Sequence, residues 1–206
     1  MHRGRCVAAW KHISKAQQYL NLPYHGEHVL PLESNAKSSA LIGNCAMIVY
    51  DPQAASLFRD TVKLPVRSTL QRALLAAQKC VPLKGEVAVM LTDDKGILKL
   101  NRTFRGKNKP TDVLSFPAAD PQLGIAGDLA ISVETAARQA VAEGHPLRIE
   151  LRILILHGVL HLAGYDHETD SGQMARLECN LRRKLRLPQG LIERTTSTHA
   201  HNGKAR

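Results

Sequence analysis

Three histidines and a glycine within eleven residues, His157-Gly158-Val159-Leu160-His161-Leu162-Ala163-Gly164-Tyr165-Asp166-His167, constrain the local fold more than any other feature of the chain. In an extended strand, residues four apart share a face but lie about 13 Å from each other, too far for two imidazoles to meet at one ion. In a helix the same residues stack with Cβ atoms roughly 5 to 6 Å apart, and two ring nitrogens can each reach about 2 Å from one zinc. The spacing therefore predicts a helix through His161. Gly164 takes the left-handed conformation that ends a helix without a Cβ clash, so the chain turns back and carries His167 toward the same point. Three protein ligands leave one zinc position open, and a catalytic site keeps its water there. One Zn2+ per chain on His157, His161 and His167 is the expectation.

A lone histidine on an apolar helix is usually a satisfied core residue. Here three of the ten histidines fall in one window, and none of the other seven is spaced to ligate with them. The pattern equals the metzincin spacing H-E-x-x-H-x-x-G-x-x-H with one change. Position two is Gly158, where those proteases carry the glutamate that takes a proton from zinc-bound water. The metal cradle is kept while peptide hydrolysis lacks its general base.

At 206 residues, 44% of them apolar, the chain suits one soluble domain with an adequate core. Apolar runs such as Ile153 to Leu156 are far short of the ~20 residues of a membrane span, so no membrane partner is expected. The formal net charge of +10 favours polyanionic partners such as nucleic acid. Cys6, Cys45, Cys80 and Cys179 are widely spread and form no C-x-x-C pair. A reducing cytosol and no disulfide framework follow.

Residues 1–46 lack sustained periodicity and carry five Lys or Arg against two Glu. They read as an extension outside the fold, with a short basic helix over 8–20; a transit peptide, or a chain start at Met47, fits equally. The domain is expected over residues 47–187, and 188–206 as a loose tail. Within the domain, Ile48 to Tyr50 reads as a strand, and Val66 to Cys80 as a helix with Leu70, Ala73, Leu74 and Ala77 on one stripe. A strand follows over Glu86 to Leu91, then a helix over Asp93 to Thr103 capped by Asp93 or Asp94. Val113 to Phe116 and Asp128 to Val133 read as strands, and Glu134 to Glu143 as a helix stopped by Gly144. Leu147 to Ala163, apolar almost all round, marks a buried central helix. Glu168 to Leu187 is an amphipathic helix with Met174, Leu177, Leu181 and Leu185 inward. The fold class is α+β: one small mixed sheet flanked by helices, with a zinc-binding cleft built on a metzincin-like histidine triad.

A second segment, Leu100 to Pro117, places Arg102, Arg105, Lys107 and Lys109 within eight residues before a strand. Cations around a turn suit phosphate: arginine offers a planar fork, lysine a point charge. A solvated basic loop is the plainer alternative. Together the two segments resemble the YbeY family of bacterial zinc-dependent endoribonucleases. The family's markers L-N-x-x-[YF]-R-x-K-x-K-P-T-D-V-L-S-F-P, G-D-[IL]-x-I-[SC] and H-G-x-L-H-L-x-G-Y-D-H appear in order, the second as Gly127-Asp128-Leu129-Ala130-Ile131-Ser132. The similarity covers roughly residues 47 to 187; the first 46 residues and the long polar tail depart from the family's architecture.

The resemblance implies a cytoplasmic, single-strand-specific metallo-endoribonuclease of late ribosome quality control and rRNA processing, including maturation of the 3′ end of 16S rRNA. Its partners would be single-stranded or ribosomal RNA and the ribosome or its small subunit. Residue by residue, the zinc ligands fall on His157, His161 and His167, and the functionally important arginine on Arg105. Lys107 and Lys109 are candidates for RNA phosphate. A phosphodiester is already anionic, so charge stabilisation outweighs general-base help, and Gly158 is no bar to hydrolysis. Zinc-activated water and the RNA 2′-OH both remain open as nucleophile. Two other readings compete: a ribosome-assembly factor with a mainly structural zinc, which would want a fourth protein ligand, and a metalloprotease, which would want the missing glutamate.

Overall fold

The apolar segment that carries the first two histidines forms the axis around which the other elements pack. The computed structural model describes residues 45–54, 63–118 and 124–188. In chain order these hold β1 (Cys45–Tyr50), α1 (Arg67–Gln78), β2 (Glu86–Thr92), α2 (Asp94–Arg105), β3 (Val113–Pro117), β4 (Ile125–Ser132), α3 (Val133–Ala142), α4 (Leu147–Leu162) and α5 (Gln173–Leu185). The fold is α+β, as expected. Most of residues 1–46, the basic helix read over 8–20 and the tail from 189 lie outside the described residues.

One four-stranded sheet runs in the order β1-β2-β4-β3. β1, β2 and β4 are parallel, and β3 pairs antiparallel with β4 at one edge. β2 is buried along its whole length, as a central parallel strand covered on both faces must be. Ile48 lies beside Val89, Val89 beside Leu129, and Leu129 beside Ser115. Side chains alternate across a strand, so Ile48, Val87, Val89, Leu91, Leu129 and Ile131 share the main core with α1 and α4. Met90, Leu114 and Ala130 pack instead with Ile97 and Leu100 of α2 in a second cluster.

α4 explains its own central place. Leu151, Ile153, Leu154, Ile155, Leu156, Val159 and Leu160 are all fully buried. A helix apolar all round has no face to give to water, so it is surrounded: by the sheet on one side and by α1, α3 and α5 on the others. Burying each such side chain contributes about 1.5–3 kcal/mol relative to exposure, an upper figure because the unfolded chain is itself partly collapsed. α2 starts at the expected cap: the Asp93 carboxylate accepts from the Gly96 N–H at 2.7 Å.

Three element starts differ from the sequence reading by three residues or more; one is β4, which begins at Ile125 rather than Asp128. β1 begins at Cys45, three residues before Ile48, because pairing with Glu86 onward carries the strand back that far. α5 begins at Gln173, five residues after Glu168. Asp166 accepts from the Glu168 N–H, and Asp170 accepts from the N–H groups of Gly172, Gln173 and Met174. These short carboxylates compete with helix for the local N–H groups, and the helix starts only where Asp170 caps it.

Candidate functional site

The last two turns of α4 supply two histidines and the following turn supplies the third. His157 is 4% exposed; His161 and His167 are half-buried. The helix ends as the glycine spacing predicted. Gly164 has φ 89°, its N–H donates to the His161 carbonyl, and the Tyr165 N–H donates to the Leu160 carbonyl. That pair of reversed hydrogen bonds is the Schellman closure, which bends the chain back across the helix end. His167 thereby comes within 5.3 Å of His161 and 5.2 Å of His157, ring centre to ring centre.

One ligand nitrogen from each of the three imidazoles lies within 4.8 Å of the others. Nε2 of His157 and Nε2 of His161 face each other at 3.2 Å. Two nitrogens each about 2.0–2.1 Å from a tetrahedral zinc stand about 3.3–3.4 Å apart, so this pair already has the separation a shared ion requires. The buried Nδ1 of His167 has no hydrogen-bond partner among the described residues. Burial first, then His157, His167 and the charge of Arg105, push the His161 imidazole down to about 4 despite the opposing Asp166 carboxylate. At neutral pH it is uncharged and its lone pair is available. Three imidazoles, with no thiolate grouped with them among the described residues, form a donor set that suits zinc and related transition ions. The residues present fit such an ion.

Arg105, the last residue of α2, is exposed, and its charge is felt at His161. Lys107 and Lys109 are exposed on the loop that follows. That loop is folded back onto the helix it leaves: buried Asn101 donates through Nδ2 to the Lys109 carbonyl at 2.8 Å, and the Lys107 N–H donates to the Asn101 carbonyl. The loop then enters β3, where Ser115 Oγ reaches the Gly158 carbonyl of α4 at 3.4 Å. The basic segment and the histidine helix thus meet through the edge of the sheet.

Two residues that hold this arrangement escaped the sequence reading. Asn101 was passed over as part of a helix. The signal was a polar side chain one residue after Leu100 on the buried side. Glu178 was passed over as one charge on an amphipathic helix. It lies four residues after Met174 and three before Leu181, on the apolar stripe itself, and a carboxylate there needs a reason. Its Oε1 stands 3.2 Å from His157 Nδ1.

Comparison with known proteins agrees with the motifs. A family model described as Endoribonuclease YbeY matches residues 54–186. The chain is 55% identical over 128 residues to a protein of Koribacter versatilis named Endoribonuclease YbeY, covering 62% of this chain and 83% of that protein. It is 46% identical over 147 residues to one of the same name from Solibacter usitatus, covering 71% and 98%. The solution structure of TM1509 from Thermotoga maritima matches at 26% identity over 68% of this chain and 91% of that one, with a TM-score of 0.44. Among the described residues no helix is long and apolar enough to cross a membrane. The family match spans β2 to β4, the basic loop and the histidine turn together, and the chain belongs to the YbeY family of endoribonucleases.

Proposed function

We propose that this protein is a zinc-dependent endoribonuclease that cleaves single-stranded RNA, with His157, His161 and His167 as ligands of one Zn2+ per chain. The observation that carries the reading is the convergence of three imidazole nitrogens within 4.8 Å beside an exposed arginine. When bound, the ion supplies Lewis acidity toward a phosphoryl oxygen and makes attacking water acidic enough to react near neutral pH. Arg105 is the catalytic residue: its guanidinium offsets the charge that grows on the phosphoryl oxygens. Lys107 and Lys109 hold flanking phosphates and fix the strand's register without reading its bases. RNA is held by backbone and shape, and much of the choice of cleavage position comes from the ribosome.

The same proposal places the enzyme in the cytoplasm, on the ribosome or its small subunit. There it acts in late quality control and rRNA processing, including maturation of the 3′ end of 16S rRNA. The family and the net charge of +10 support an RNA partner. Three histidines with no fourth protein ligand among the described residues support a catalytic site over a closed structural one. The deciding experiment pairs metal analysis of the purified protein with cleavage of single-stranded and duplex RNA, before and after chelation. Zinc near one per chain, with single-strand cleavage lost on chelation and restored by zinc, is the expected result. Undiminished cleavage by metal-free protein would overturn it.

A further inference from the structure

Glu178 is 1% exposed, in the middle of α5, with apolar Met174 and Leu181 buried on the same stripe. A carboxylate removed from water at such a position is unfavourable unless a partner compensates it. Its partner is an imidazole: Oε1 of Glu178 stands 3.2 Å from Nδ1 of His157, across the packed surfaces of α5 and α4. The other nitrogen of the same ring, Nε2, faces His161 Nε2 at 3.2 Å inside the triad.

A neutral imidazole has one N–H and one lone pair, while a carboxylate only accepts. The hydrogen bond to Glu178 therefore requires the proton on Nδ1 and leaves the lone pair on Nε2, on the side where the three rings converge. We infer that Glu178 is the positioning residue of the triad, holding His157 in the Nδ1–H tautomer with its Nε2 lone pair presented to the ion. The inference rests on the metal reading above and deepens it. A carboxylate behind a ligating histidine fixes its tautomer and ring orientation and strengthens its donation.

The test uses full-length protein. In the zinc-free wild type, long-range 1H–15N correlations from the carbon-bound ring protons should show His157 protonated at Nδ1. In Glu178→Met, which matches the volume but offers no acceptor, that tautomer should be lost. Zinc affinity, measured by competition with a chromogenic chelator, should fall about 10–100-fold. Glu178→Gln, which keeps an acceptor oxygen, should restore the tautomer and most of the affinity. A purely structural hydrogen bond would change the melting temperature of the zinc-free protein and leave both readouts where they were. Protonation at Nε2 in the zinc-free wild type overturns the inference, even if the methionine variant does not fold. So does wild-type zinc affinity in a folded Glu178→Met. Failure of the wild type to bind zinc at all overturns the metal reading itself, and this inference with it.

Discussion

The Cβ that Gly158 lacks would stand 2.7 Å from Cδ2 of Leu129. The residue following the first histidine of the triad thus points into the sheet, and α4 approaches β4 as closely as it does because nothing larger is there. The glutamate that metzincin proteases carry at this position has no room on this backbone. Gly158→Ala should lower stability by about 1–3 kcal/mol, the usual range for overfilling a packed core. A urea titration reads the loss directly; a variant as stable as the wild type would show that Leu129 yields freely.

His161→Ala should reduce bound zinc to a small fraction of one per chain, because two imidazoles seldom hold the ion tightly. Cleavage should fall with metal content. Elemental analysis of the folded, dialysed variant is the check, and full occupancy would mean that the ligands are misassigned.

Arg105→Lys keeps the charge and removes the planar fork. Since Arg105 is exposed, folding and zinc content should stay at wild-type values. Turnover should drop by about 10²–10³-fold, the scale of losing one well-placed donor to a developing negative charge. Single-turnover cleavage beside a thermal melt separates the two effects, and a wild-type rate would remove the arginine from the mechanism.

Lys107→Ala and Lys109→Ala should each weaken RNA binding with little effect on the cleavage step. Each should also flatten the dependence of log affinity on log salt by about one. Filter binding across a salt series measures the slope; an unchanged slope would place these lysines off the RNA path.

Asp128, on β4, has its carboxyl pushed up from 3.8 to about 6, by burial first and then by the charge of Glu86. A raised carboxyl favours the folded state while protonated, so its contribution is fully present below about pH 4 and is lost as pH rises through 6. Asp128→Asn should therefore be more stable than the wild type at pH 7.5 by on the order of 2–3 kcal/mol, with the gap closing toward pH 4. Urea midpoints at several pH values give the curve. A gap that widens as pH falls contradicts the assignment.

What the sequence made legible is what one helix determines alone. The i, i+4 pair, the glycine stop and the apolar circumference of α4 are consequences of local geometry, and each was readable from residues 147 to 167. Strand order was not: nothing in the β3 and β4 segments says that β4 inserts beside β2 and leaves β3 at the edge. The start of α5 was missed because Asp170, inside the segment read as helix from Glu168, and Asp166 just before it take up N–H groups within two to four residues. Asn101 and Glu178 act through partners 8 and 21 residues away. A pattern within one element cannot display such partners.

Ser115, on the edge strand that the basic loop runs into, touches the helix that bears the histidines. The three histidines lie within α4 and its closing turn, whereas the basic loop after Arg105 joins that helix through β3. On the proposed mechanism, zinc content alone would be a poor certificate of a working preparation. Damage confined to the edge strand would yield protein that passes elemental analysis and circular dichroism and still cuts nothing, and stock quality is better judged by turnover per bound ion.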